Sequence, residues 1–104
     1  MNSKEKGKRV EREFAQVCRQ HGYDVRRINQ FCGNTGEAAD CIGLDGIHCE
    51  VKRVERLNIC DAMEQAVRDS KDKEDYPAVF HRKNNHEWLV TMRLEDWFEL
   101  DKKW

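Results

Sequence analysis

Apolar side chains recur at helical spacing in the N-terminal part of the chain. They fall at positions i, i+4, i+7, i+8 and i+11, which are Val10, Phe14, Val17, Cys18 and His21. Side chains at this spacing share one face of a helix, so the pattern predicts a helix from Ser3 to about His21 that ends at Gly22. Glu11 lies beside the apolar stripe rather than opposite it, at the boundary between this helix and the sheet.

A strictly alternating pattern occupies the middle of the chain, from Ile47 to Lys52. Successive side chains of a strand point to opposite faces of a sheet, so one face of this segment is predicted to be apolar and the other ionisable. The ionisable face consists of His48, Glu50 and Lys52. The preceding pair, Asp45-Gly46, is a turn signal because glycine accepts a positive φ, and it indicates a β-hairpin over residues 39–52.

The length of the hairpin loop decides which face of the sheet receives Asp40. A two-residue loop at Asp45-Gly46 would place Asp40 opposite Val51 and send its carboxylate into the core. A three-residue loop beginning at Leu44 instead pairs Asp40 with Glu50, with their Cβ atoms about 5 Å apart. We favour the longer loop, which also pairs two cysteines on the apolar face, Cys41 and Cys49. Two carboxylates this close repel each other unless a cation lies between them, and their oxygens suit Mg²⁺ or Mn²⁺.

The remaining segments alternate between strand and helix patterns. Tyr23 to Ile28 is predicted as a first strand, followed by a glycine-containing loop over residues 29–37. Asn58 or Asp61 can cap a second helix whose apolar stripe is Ile59, Met63, Ala66 and Val67. Residues 78–82 and 87–92 flank the turn pair Asn84-Asn85 as a second hairpin. Residues 94–100 form a short terminal helix with three apolar residues, Leu94, Trp97 and Phe98. The order α-β-β-β-α-β-β-α predicts an α/β fold with a central mixed sheet.

Composition and charge are consistent with one folded domain over residues 1–104. Charged and hydrophobic residues each make up 38% of the chain, and the formal net charge is -1. The five cysteines are odd in number and lack C-x-x-C spacing. With no signal peptide and no apolar run long enough to span a membrane, we expect reduced thiols in a cytoplasmic protein rather than a zinc site.

The order of the ionisable residues is similar to that of a known family. The sequence Gly-Lys-Arg-Val-Glu-Arg-Glu at residues 7–13 lies on the first helix, Asp40 follows the loop, and Glu50-Val51-Lys52 lies on the next strand. The chain resembles the PD-(D/E)xK nuclease superfamily in this order, and within it the archaeal-type Holliday junction resolvases and their phage-encoded relatives. The resemblance covers nearly the whole chain, from Lys6 through the strand that contains Trp88.

The resemblance implies a restriction-endonuclease-like core and a Mg²⁺-dependent endonuclease that accepts Mn²⁺ as a substitute. In this interpretation Asp40 and Glu50 ligate the metal, and the Val51 carbonyl adds a ligand. Lys52 would orient or activate the attacking water, and Glu11 would reach the metal shell from the first helix. Three further residues are candidates for supporting positions around the site: Glu37, His48 and Gln65.

Clustered basic residues suggest a surface for DNA, because phosphate contacts position a duplex without reading its sequence. The candidate contacts are Lys4, Lys6, Arg9, Arg26, Arg27, Arg53 and Arg56. The expected function is cleavage of branched DNA in a prokaryotic or phage setting, most specifically of Holliday junctions. The alternatives are a restriction-like or repair nuclease for duplex or flapped DNA, and a DNA-binding subunit of the same fold without activity.

One chain offers one site, so symmetric cleavage of two strands requires a C2 homodimer. Candidate residues for its interface, or for the core, are Phe80, Trp88, Trp97, Phe98 and Trp104. No membrane partner is expected.

Overall fold

The computed structural model describes residues 3–28, 39–71 and 73–103, with side chains from residue 7 onward. Its elements, in chain order, are α1 (Ser3–Gln20), β1 (Arg26–Arg27), β2 (Cys41–Ile42), β3 (Ile47–Arg53), α2 (Ile59–Asp69), β4 (Tyr76–Arg82), β5 (Leu89–Met92) and α3 (Leu94–Asp101). The strands form one mixed sheet in the order β1-β2-β3-β4-β5, in which only the β3–β4 pair is parallel. The predicted element order and the mixed α/β sheet are confirmed.

The register of the first hairpin follows the three-residue loop. Cys41 lies opposite Cys49, and the backbone N–H of Asp40 donates to the Cys49 carbonyl oxygen at 2.8 Å. This register is the one that places Asp40 on the same side of the sheet as Glu50. The predicted pairing of the two cysteines is therefore confirmed.

Strand β3 is covered on both faces, because a helix packs against each side of the sheet. On one face Cys49 and Val51 join a core with Val10 and Phe14 of α1, and Phe14 also contacts the rings of two partly buried residues, Phe80 and Trp88. On the other face Val79 of β4 packs against two alanines of α2, Ala62 and Ala66. His48 and Glu50, which point toward α2, are therefore buried as fully as Cys49 and Val51, which point toward α1.

Local signals explain where the elements begin and end. The Asn58 side chain accepts a hydrogen bond from the Asp61 N–H, so Asn58 is the N-cap of α2. Gly22 follows α1 with a φ of 92°, and Asn85 has a φ of 62° in the turn between β4 and β5. Both values lie in the left-handed region that glycine and asparagine tolerate best.

One sequence prediction was wrong in detail. Strand β1 is shorter than the predicted Tyr23–Ile28 strand, and Tyr23 is exposed. The ladder is short because its partner β2 is only two residues long. Helix α3 exposes its three apolar residues, Leu94, Trp97 and Phe98, so Trp97 and Phe98 remain candidates for an interface rather than for the core. None of the helices in the described ranges has the length and apolar character needed to cross a membrane.

Gly43 provides a test of the close packing at the end of β2. Gly43 and Gly46 both have a positive φ, 120° and 78°. A Cβ on Gly43 would lie 2.7 Å from the Val25 Cα and closer still to the Asp24 carbonyl oxygen, whereas a Cβ on Gly46 would meet nothing within 4 Å. We expect Gly46→Ala to cost about 1 kcal/mol from backbone conformation alone, and Gly43→Ala to cost about 3 kcal/mol or more.

Urea denaturation of the two variants measures this difference. Equal losses of stability in Gly43→Ala and Gly46→Ala would contradict the close approach of the two backbone segments.

Candidate active site

Asp40 is held at the edge of β3 by its own side chain. Its Oδ2 accepts a hydrogen bond from the backbone N–H of Val51 at 2.8 Å. Burial raises the pKa of the Asp40 carboxyl, and this hydrogen bond together with the nearby Lys52 ammonium opposes the rise. The carboxyl of Asp40 also contacts the Glu50 side chain. The chain thus brings two carboxyl groups together beside one amine.

Glu50 is the most deeply buried acid among these residues. It is only 1% exposed, and its Oε1 is 3.0 Å from the Nε2 of His48, which is itself 2% exposed. Burial raises the pKa of Glu50 to about 7, the hydrogen bond from His48 opposes this shift, and the charge of Asp40 adds to it. A cation placed beside this buried carboxyl would strongly stabilise its ionised form.

Glu11 and Lys52 complete the opening of the site. Together with Asp40 they line a cavity of about 280 Å³ between α1 and β3. The Glu11 Oε1 accepts a hydrogen bond from the Arg27 Nε at 3.1 Å, an ion pair that ties α1 to β1. Burial and the charge of Asp40 raise the pKa of Glu11, while Arg27 and Lys52 lower it. The cavity therefore presents acidic oxygens and an ammonium to the same volume.

The structure places the sequence candidates in two groups. Glu11, Asp40, Val51 and Lys52 all border the cavity, and Glu50 adjoins it through Asp40. His48 contacts Glu50 directly, as a supporting residue would. Glu37 and the side chains of Lys4 and Lys6 lie outside the described residues.

Sequence reasoning missed Asp69, the last residue of α2. One ligand atom from each of His48, Glu50 and Asp69 lies within 4.8 Å of the others. The candidate chosen on α2 was Gln65, one helical turn earlier, which is half-buried. Residues four positions apart lie on the same helix face. The sequence therefore indicated which face of α2 points toward the site, but not which turn of that face reaches Glu50.

The basic candidates differ in their exposure and in the ion pairs that they form within the protein. Arg9, Arg26 and Arg56 are exposed. Arg27 pairs with Glu11, whereas the Arg53 Nη1 donates to the Glu13 Oε2 at 2.7 Å and its Nε donates to Asn84. Glu13 also pairs with Arg82, so it links α1 to β3 and β4. Arg53 is thus held within the fold.

The donor chemistry fits a hard divalent cation. Asp40 and Glu50 supply carboxyl oxygens, and the buried cluster lacks the charge balance that a cation would provide. One oxygen of each carboxyl forms a hydrogen bond within the protein. Oδ2 of Asp40 bonds to the Val51 N–H, and Oε1 of Glu50 bonds to the Nε2 of His48. These hydrogen bonds fix the orientation of both groups, as ligand-supporting contacts do in metal sites.

Comparison with known proteins establishes the fold. The chain is similar to the solved structure of Hjc from Archaeoglobus fulgidus, described as a Holliday junction resolvase from an archaeal hyperthermophile. The TM-score is 0.64 at 19% sequence identity, over 82% of this chain and 75% of that chain. Comparison with family models found no matching family, and comparison with curated proteins found no relative. The chain therefore has the α/β fold of this resolvase structure, which confirms the predicted restriction-endonuclease-like core.

The buried Glu50 carboxyl makes a prediction about stability. Its pKa rises from 4.5 to about 7 on folding, so between these pH values the folded protein holds a proton that the unfolded chain has released. The free energy of unfolding must therefore fall as the pH rises through this window, by up to about 1.4 kcal/mol per pH unit, and level off above it. Glu50→Gln should reduce this slope, and the raised pKa values of Asp40 and Glu11 account for the part that remains.

Urea denaturation in EDTA, across the window from about pH 5 to about pH 8, measures the slope. Glu64→Gln, which removes an exposed carboxyl of α2, serves as the control. An unchanged slope in Glu50→Gln would show that the buried carboxyl is not the origin of the pH dependence.

Proposed function

We propose that this chain is a divalent-metal-dependent endonuclease that hydrolyses phosphodiester bonds of branched DNA, with four-way junctions as its preferred substrate. Residues 1–104 would form one nuclease domain. The observation that carries the proposal is the meeting of Asp40, Glu50 and Lys52 at one end of β3, with Glu11 facing them across the cavity. Carboxylates and an ammonium on one small surface are the groups that phosphodiester hydrolysis requires.

Each side chain has a role that its position supports. Asp40, Glu50, the Val51 carbonyl and Glu11 would hold Mg²⁺, with Mn²⁺ as a substitute. A bound ion of this kind polarises a phosphate and lowers the pKa of a coordinated water. Lys52, whose charge lies beside Asp40 and Glu11, would contact the scissile phosphate and orient the attacking water. Arg27 keeps the Glu11 carboxylate facing the cavity.

The likeness to an archaeal Holliday junction resolvase supports branched DNA as the substrate. Exposed basic side chains, Arg9, Arg26 and Arg56, would contact phosphates on either side of the cleaved bond, together with Lys4 and Lys6. Arg27 and Arg53 would act mainly by holding acidic groups in place, because both are engaged in ion pairs. The proposed DNA surface therefore leaves out Arg27 and Arg53.

A cleavage assay on four-way junction, linear duplex and flap substrates tests the proposal, with Mg²⁺ or with EDTA. We expect paired symmetric nicks in the junction only, and only with Mg²⁺. Asp40→Asn should lower the cleavage rate by at least about 100-fold while junction binding is retained. Asp45→Asn, in the exposed hairpin turn, is the control and should cleave normally.

Other results of this assay lead to different conclusions. Equal cleavage of duplex or flap DNA would indicate a restriction-like or repair nuclease. Junction binding by the wild-type protein without cleavage would indicate a DNA-binding subunit that retains the fold and not the chemistry.

We also propose a homodimer, which paired cleavage by a chain with one site requires. Exposed apolar side chains on edge strand β5 and helix α3 support this interface. They are Leu89, Val90, Leu94, Trp97 and Phe98. Phe80 and Trp88, two of the sequence candidates, pack against Phe14 in the core and are not among them. Trp104 lies outside the described residues.

Trp97→Glu should convert the dimer to a monomer, because it places a charge in the centre of an apolar contact. Light scattering coupled to size exclusion measures the mass. Tyr23→Glu, which alters an exposed aromatic residue beside β1 at the opposite edge of the sheet, should leave the dimer intact. A monomeric wild-type protein, or a dimer lost only in Tyr23→Glu, would overturn this interface.

A further inference from the structure

A second cluster of ligating side chains lies on the α2 side of β3, beyond the proposed catalytic groups. It consists of His48, Glu50 and Asp69, which bring one imidazole nitrogen and two carboxyl oxygens within 4.8 Å of one another. Neither His48 nor Asp69 borders the cavity that Glu11, Asp40 and Lys52 line. The proposed reaction assigns no chemistry to these two residues.

The electrostatics of the cluster favour a cation. The carboxyl groups of Glu50 and Asp69 are in hydrogen-bonding contact, and Asp40 adds a third acid to the other side of Glu50. His48 and Glu50 are 2% and 1% exposed, so water does little to separate the charges. Asp69 ends α2, and the C-terminal end of a helix carries partial negative charge. A shared proton or a bound cation relieves this repulsion.

The spacing of the donors matches a metal site. The His48 Nε2 and the Glu50 Oε1 are 3.0 Å apart. Adjacent ligands of an octahedral ion with bonds of about 2.1 Å are about 3.0 Å apart, so both atoms already stand at the separation that one ion requires, and the ion would replace the hydrogen bond between them. Asp69 is half-buried, so it is the member of the cluster that solvent reaches.

We propose that His48, Glu50 and Asp69 form a binding site for a divalent transition-metal ion of the Mn²⁺, Co²⁺ or Zn²⁺ class, distinct from the Mg²⁺ site at Asp40. The imidazole nitrogen selects this class over Mg²⁺ and Ca²⁺, which prefer oxygen ligands alone. Glu50 lies between the two sites, so an ion at the second site would hold its carboxylate ionised and fixed beside Asp40. The proposed site involves no DNA, so it can exist whether or not the protein cleaves DNA.

Cobalt titration of metal-free protein, without DNA, tests the proposal. Co²⁺ bound through an imidazole and carboxylates gives a visible absorption band, which reports binding independently of activity. We expect Asp69→Asn and His48→Gln each to weaken Co²⁺ binding at least 10-fold, a loss typical for metal-site substitutions. Glu64→Gln, on the exposed face of α2, is the control and should retain the band.

An anomalous difference map from a crystal soaked in CoCl₂ provides a second measurement. The expected peak lies between His48 and Asp69. Wild-type protein that shows neither band nor peak, or folded Asp69→Asn protein that binds Co²⁺ as tightly as wild type, would overturn the site. If His48→Gln does not fold, Asp69→Asn and the map still decide. Loss of cleavage with Co²⁺ binding intact would count against the proposed nuclease alone.

Discussion

Glu50 is buried on a strand that is covered from both sides, and the neighbouring groups of the site are arranged to compensate its carboxyl. A carboxyl that is 1% exposed must be compensated from within the protein, and His48 provides the nearest contact. Asp40 is close enough to add repulsion, and its own charge is stabilised by the Val51 N–H and by Lys52. The protein therefore holds acidic groups closer together than they would stand in water, and that arrangement favours cations.

A frame of ion pairs around β3 keeps these acids in position. Glu11 and Glu13 both extend from α1, and each binds arginine on the sheet rather than solvent. Glu13 joins α1 to two neighbouring parallel strands through Arg53 and Arg82, and Glu11 joins it to β1 through Arg27. The helix that contributes an acid to the cavity is thus fixed at two points along its length. Such preorganisation limits the reorganisation needed when charge develops at the site.

Much of this fold could be predicted from residue patterns, and the failures have physical reasons. Alternation along β3 and the Asp45-Gly46 turn signal were enough for the hairpin register, because one slip would have turned every side chain to the wrong face. Asp69 was missed because its place beside Glu50 depends on how far α2 extends along the sheet, which helical periodicity does not contain. For the apolar residues of α3 the sequence left the core and an interface open, since an apolar stripe does not reveal whether its partner belongs to the same chain.

The two cysteines that face each other across β2 and β3 affect which metal ions the proposed sites could bind. Cys41 and Cys49 face each other on the α1 side of the sheet, both fully buried, and burial raises the pKa of Cys41 to about 12 and that of Cys49 further. Thiolates are the soft ligands that capture zinc and copper, and neutral thiols are poor ones. Because the sulfurs of Cys41 and Cys49 stay protonated on the far face of β3, the donors at the proposed metal sites are oxygen and imidazole nitrogen. The two faces of one strand would thus separate soft donors from hard ones.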